Sequence, residues 1–125
     1  MSERRTNKYN ARRVVDSDGA VFDSRLELRR WHELQLLERA GEIRALTRQP
    51  EFILEPRQVV GKGRTRRVLR VVRYFADFGY VELGSDRLIA EDVKGVETQV
   101  FRLKARLMAS RFPDVDLRIV RDAGR

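Results

Sequence analysis

Asp77, Asp92 and Lys94 are charged residues set in sequence that otherwise reads as apolar strand. Asp77 interrupts the run from Val71 to Val81, which is rich in β-branched and aromatic side chains. Aspartate is disfavoured in strands, and a buried carboxylate is costly unless it is paired or metal-bound. A solvent-facing edge position, or a bulge beside Gly79, accounts for it just as well. Asp92 and Lys94 lie between Leu88 and Gly95. Side chains two apart on a strand share a face, so these two project together while Glu91 and Val93 point the other way. The turn Gly84-Ser85-Asp86 makes this strand the natural neighbour of the one carrying Asp77, so two carboxylates and an ammonium can converge. The bland alternative is a solvated Asp/Lys pair on an exposed face.

Such a cluster suits phosphodiester hydrolysis, which needs a nucleophilic water, neutralised phosphoryl oxygens and a stabilised leaving oxygen. Hard carboxylate oxygens suit Mg²⁺ or Mn²⁺, which keep waters and bridge to phosphate. Asp77 and Asp92 would be the ligands, with the Val93 carbonyl. Lys94 would orient or help deprotonate the attacking water, or stabilise the pentavalent phosphorus centre. Glu27 would hold a second ion or a metal-bound water, although Ser24-Arg25-Leu26-Glu27 has capping-box spacing, which explains this glutamate without catalysis. Lys104 falls among Val100, Leu107 and Met108 on a second helix, where it either snorkels to solvent or reaches phosphate. His32 lacks a histidine partner and is assigned no chemistry.

The elements that must position these residues follow from the pattern. Arg12 to Phe22 predicts a short hairpin around Asp16-Ser17-Asp18-Gly19, and a helix runs from Ser24 to Ala40, where Gly41 stops it. Strand sequence begins after Pro50, with Phe52-Ile53-Leu54, Pro56 to Val60, a flexible turn at Gly61-Lys62-Gly63, and a long β-rich run from Arg66 to Leu83. Arg87 to Lys94 is the next strand, Glu97 to Arg111 a second helix ended by Pro113, and Val115 to Val120 the last strand. The order is helix, three strands, helix, strand, behind an N-terminal β-hairpin. It predicts an α/β or α+β fold, a mixed central sheet flanked by helices. Residues 1–10 read as a flexible N-terminus, and 11–125 as one domain.

The chain has 125 residues, 27 Lys and Arg against 19 acids, and a formal charge of +8. Nearly all the cations are arginine, whose planar fork matches phosphate oxygens, so an excess of this size favours a nucleic-acid partner. Arg57, Lys62, Arg64, Arg66, Arg67, Arg70 and Arg73 gather around the Gly-Lys-Gly turn, where they contact a phosphate backbone or simply solvate a hairpin. Without cysteine, disulfides and thiolate metal sites are excluded. No apolar run is long enough to cross a bilayer, and no apolar segment follows the basic N-terminus, so a membrane partner and a secretory signal are not expected. A bacterial or phage-infected cytoplasm fits.

Taken together, Phe75-Ala76-Asp77-Phe78, Glu91-Asp92-Val93-Lys94-Gly95 and the helix segment Ser24-Arg25-Leu26-Glu27 resemble the PD-(D/E)XK nuclease superfamily. Ala76 stands where that pattern usually has proline. KYNARR, FDSRLELRRWHELQLLERAGEI, QPEFIL, YFADFGYVE, EDVKG and RFPDV resemble an uncharacterised phage-associated family within it. The resemblance implies the PD-(D/E)XK fold and a Mg²⁺- or Mn²⁺-dependent DNA endonuclease with Asp77, Asp92, Lys94 and Glu27 at its centre. Lys62, Arg64, Arg66, Arg67, Arg70 and Lys104 would contact the DNA. By analogy it also implies a homodimer acting on branched or Holliday-junction DNA in phage replication or recombination, a simple duplex-nicking enzyme being equally compatible. The competing class is a non-catalytic nucleic-acid-binding protein on the same fold, although two carboxylates beside a phosphate would repel it. The two readings divide on metal: a nuclease binds more tightly when Mg²⁺ or Ca²⁺ neutralises the site, and a pure binder does not.

Overall fold

The computed structural model describes residues 13–94 and 96–121. The expectation of a flexible N-terminus therefore lies outside the described residues. Within them the fold is mixed α+β: two helices and a four-stranded mixed sheet, with two smaller ribbons and a hairpin.

The chain enters through the expected hairpin, β1 (Val14–Val15) paired antiparallel to β2 (Val21–Phe22). Helix α1 (Arg25–Arg39) starts at Ser24, whose Oγ accepts the Glu27 N–H at 3.1 Å. It stops at Gly41, which takes the positive φ of 78° that a side chain would resist.

Strand β3 (Ile43–Arg48) follows in a stretch whose sequence carries no clear strand signal. It is an edge strand, mostly exposed, with a register shift between Arg44 and Thr47 and a positive φ at Ala45. After a second positive φ, at Gln49, come β4 (Glu51–Glu55) and β5 (Gln58–Val60). The chain returns as β6 (Arg67–Leu69), β7 (Val72–Phe75) and β8 (Phe78–Glu82). The β-rich run expected from Arg66 to Leu83 is thus three strands. β5 pairs β6, β4 pairs β7 and β3 pairs β8, all antiparallel, so residues 43–82 form one long ribbon with two breaks. Ala76 and Asp77 form the break nearer the sheet. Across it the Gln49 N–H donates to the Asp77 carbonyl at 2.9 Å, and the Ala76 N–H to the Pro50 carbonyl at 3.2 Å.

The sheet is completed by β9 (Leu88–Lys94), antiparallel to β8, and by β10 (Asp116–Arg121), parallel to β9. A parallel neighbour needs a crossover, which α2 (Gln99–Arg111) supplies; the Thr98 side chain caps it by accepting the Phe101 N–H at 3.1 Å. The spatial order is β10-β9-β8-β3. Counting only the sheet and its helices, the chain order is α1, β3, β8, β9, α2, β10.

Two cores lie on opposite faces of the sheet. One joins α1 and the hairpin to it through Phe22, Leu34, Ile43, Phe78, Tyr80 and Ile89. The other joins α2 and the inner face of β4 and β7 through Phe52, Leu54, Tyr74, Ala90, Phe101 and Met108. Ile89 and Ala90 are successive residues in different cores, as strand alternation requires.

Candidate active site

One end of the sheet gathers the charged residues. Register sets Arg48 of β3 opposite Phe78 of β8, and Phe78 opposite Glu91 of β9. Asp77 therefore stands at the start of β8, beside the stretch of β9 that bears Asp92 and Lys94.

Asp77 is half-buried, and its Oδ2 accepts the Val93 N–H at 2.7 Å. Burial pushes its carboxyl up to about 6, against the Val93 hydrogen bond and the Lys94 ammonium, which pull it down. Asp92 is only 2% exposed and accepts a hydrogen bond from the Tyr74 hydroxyl. Burial raises it too, to about 6, with Lys94 opposing. The Lys94 Nζ lies 3.9 Å from Asp92 Oδ1 and 4.4 Å from the centroid of the Phe101 ring, so one ammonium serves both carboxylates from over an aromatic face. Asp92 and Lys94 share the α2 side of β9, as their spacing requires.

Glu27 lies on α1, buried beneath the hairpin. Burial, then the Asp77 and Asp23 carboxylates, push it up to about 8, while Arg48 opposes them. Arg48 had no signal in the sequence because β3 had none. Its Nη2 is 3.8 Å from Glu27 Oε1 and donates to the Val21 carbonyl at 2.9 Å, and its guanidinium lies 3.9 Å from the centroid of the Phe22 ring. Its buried Nε has no hydrogen-bond partner among the described residues.

Glu91, next to Asp92, faces α1. It is 1% exposed and takes a two-pronged ion pair from Arg30, at 2.6 and 2.9 Å, and the Tyr80 hydroxyl at 2.6 Å. That set is satisfied within the fold and holds α1 to β9.

The basic residues fall into two places. Lys62, Arg64, Arg66, Arg67 and Arg70 are exposed on and around the β5/β6 ribbon. The tip, expected to be flexible, is closed by the 3₁₀ turn Gly63–Thr65: the Lys62 N–H donates to Thr65 Oγ1 at 3.1 Å, and that hydroxyl donates to the Lys62 carbonyl at 2.8 Å. A Cβ at Gly61 would lie 2.2 Å from the Thr65 carbonyl oxygen, so the turn needs glycine there. Lys104 is half-buried on α2, one turn beyond Phe101. His32 lies 3.3 Å from Asp16, in the turn of the hairpin.

The donor set can be tested against a divalent cation. Among the described residues no three acidic or histidine side chains group closely enough to cage a metal. Mg²⁺, however, is ordinarily held by one or two carboxylates, with water and substrate phosphate completing its shell. Asp77 and Asp92, both raised by burial with only one ammonium between them, fit that pattern. Glu27, paired with Arg48, lies within electrostatic reach of Asp77.

The chain belongs to a family described as a protein of unknown function, DUF1064, whose model matches residues 6–124. No curated protein and no solved structure matches it. No helix among the described residues is long and apolar enough to cross a membrane.

Proposed function

We propose that this protein is a divalent-metal-dependent DNA endonuclease of the PD-(D/E)XK type. The observation that carries the reading is Lys94 Nζ 3.9 Å from Asp92 Oδ1 on β9, with Asp77 tied to the intervening Val93 from the neighbouring strand. The chain order α1, β3, β8, β9, α2, β10 supports it, because it puts Asp77, immediately before β8, beside the neighbouring strand β9 that carries Asp92-x-Lys94.

Asp77 and Asp92, with the Val93 carbonyl, would hold Mg²⁺ or Mn²⁺, and Glu27 would steady a water beside them. The cation, when bound, supplies charge to the phosphoryl oxygens and lowers the pKa of a water. The chain's own groups do the rest. Lys94 donates to a phosphoryl oxygen or to the attacking water. Asp92, fixed by Tyr74, keeps that ammonium in place. Water would attack phosphorus and shed a proton to solvent, the bond to the leaving sugar oxygen would break, and that oxygen would take up a proton from solvent. Lys62, Arg64, Arg66, Arg67, Arg70 and Lys104 would position the phosphate backbone. The bacterial or phage-infected cytoplasm, and a homodimer working on branched DNA, belong to this proposal.

A non-catalytic nucleic-acid binder is favoured by one observation, the concentration of exposed cations on the ribbon rather than at the carboxylates. Labelled duplex, single-stranded, flap and four-way-junction DNA incubated with Mg²⁺, Mn²⁺ or EDTA separate the two. Metal-dependent cutting that Lys94→Ala and Asp92→Ala abolish supports the nuclease. Intact DNA in every lane, with binding indifferent to metal and to both substitutions, leaves only the binder.

A further inference from the structure

The 15 residues from Pro56 to Arg70 carry six cations, Arg57, Lys62, Arg64, Arg66, Arg67 and Arg70, and no acid, in a chain whose total charge is +8. Every one of the six is exposed, as is every residue from Gly61 to Arg70. None makes an ion pair among the described residues. The nearest acids in sequence are engaged elsewhere, Glu51 with Arg73 at 2.6 Å and Glu55 with Arg111. The ribbon that bears these charges exposes Val59, Val68 and Leu69 on its two faces, so it stands clear of both cores. Its tip is closed by the Lys62–Thr65 hydrogen bonds.

A two-stranded ribbon with exposed cations around its tip and base, none of them ion-paired among the described residues, is matched to one shape of polyanion. The major groove of B-form DNA, about 12 Å wide, admits a two-stranded β-ribbon between two rails of phosphate. The deep, narrow major groove of A-form RNA does not. Arg57 and Arg70 at the base and Lys62, Arg64 and Arg66 about the tip are separated along the strands by roughly 13 Å, about four residues of extended chain. That span brings cations to phosphates on both sides of such a groove.

We infer that the β5/β6 ribbon is a docking arm that enters the major groove of B-form duplex DNA and binds it without metal. The inference rests on the proposed function for the partner's being DNA, and it adds the form of the substrate and a second, separate contact. The tip of the arm lies about 12 residues along the chain from the break at Gln49 and Asp77, so it reaches at most roughly 40 Å from the carboxylates. Duplex must therefore lie within about one helical turn of the bond cut.

The test measures binding by fluorescence anisotropy in EDTA, using 20-base-pair DNA, RNA of the same sequence, each single strand, and vesicles of anionic phospholipid. The full chain is compared with the quadruple variant Arg64→Ala/Arg66→Ala/Arg67→Ala/Arg70→Ala, whose melting temperature is checked first. Duplex DNA is expected to bind at least tenfold more tightly than the other probes. Six phosphate contacts give a salt slope near roughly −5, about a thousandfold loss between 50 and 200 mM salt, and the variant falls to roughly −2. Equal affinity for duplex RNA, single strands or vesicles overturns the groove, and an unchanged salt slope in the folded variant overturns the arm. Failure of the nuclease reading looks different: Mg²⁺ then yields no cutting while the EDTA binding stands.

Discussion

The carboxylate of Asp77 accepts the backbone N–H of Val93 at 2.7 Å, so the break before one strand is fastened by a side chain to the middle of the D-x-K segment on the next. Asp77, a metal ligand on the proposed function, is here also a structural bracket, and the two roles separate under substitution. Asp77→Asn keeps an acceptor for Val93 and is expected to melt near the parent temperature while losing metal-dependent cutting. Asp77→Ala leaves a backbone donor without its acceptor, at a cost of about 1–3 kcal/mol, offset in part by removal of a desolvated carboxylate. Melting curves and cutting assays on both variants check this; full activity in Asp77→Asn would remove the residue from the chemistry.

The buried acids make stability depend on pH in an unusual direction. Folded Glu27 holds its proton up to about 8, whereas the unfolded carboxyl releases it near 4.5, so between those values the folded state binds more protons. The stabilisation is complete below 4.5 and is lost as pH rises through 8. Asp77 and Asp92 add the same trend between 3.8 and about 6. Metal-free protein should lose stability on the order of a few kcal/mol across this window. Glu27→Gln should flatten the part above about pH 6, and saturating Mg²⁺ should flatten the lower part. Thermal melts across the range decide it, and a parent-like slope in Glu27→Gln would assign the effect elsewhere.

The Arg30–Glu91 pair predicts strong coupling. Arg30→Met strands a carboxylate that is 1% exposed with only Tyr80 for company, which should cost about 3–5 kcal/mol. Adding Glu91→Met to that variant should recover a large part of the loss, because the uncompensated charge goes with it. A double-mutant cycle in urea gives the coupling directly, and simple additivity would mean that the pair holds nothing.

At Gly79 the constraint is space. A Cβ there would lie 3.1 Å from Pro50 Cγ and 3.2 Å from Thr47 Cγ2, where the edge strand crosses toward the break. Gly79→Ala should destabilise by about 1–3 kcal/mol. If the melting temperature rises instead, β3 gives way more easily than its packing suggests.

What the sequence disclosed and what it hid divide along physical lines. Ser24 and Glu27, the second helix, and the shared face of Asp92 and Lys94 were legible because capping and alternation are local rules. β3 was not, since an exposed edge strand with a bulge and a positive φ at Ala45 keeps no clean period. Arg48 was hidden with it. The splitting of the run from Arg66 to Leu83 was only hinted at: Asp77 interrupts it and a bulge beside Gly79 was one reading, but the break is held by Pro50, Gln49 and Glu91 from elsewhere in the chain. Glu91 was read as facing away from Asp92 and does so, but its partners, Arg30 and Tyr80, are set by tertiary packing alone.

Glu91 and Asp92 are consecutive carboxylates with opposite addresses, one among Arg30 and Tyr80 and the other beside Tyr74 and Lys94. Because a strand alternates strictly, losing or gaining one residue between Gly84 and Glu91 would leave the composition of β9 intact and exchange the two. Asp92, a methylene shorter, would be delivered to Arg30, and Glu91 to the Lys94 side, from which that lysine would itself have turned away. The register of β9 against β8 thus matters as much as the identity of the residues that β9 carries.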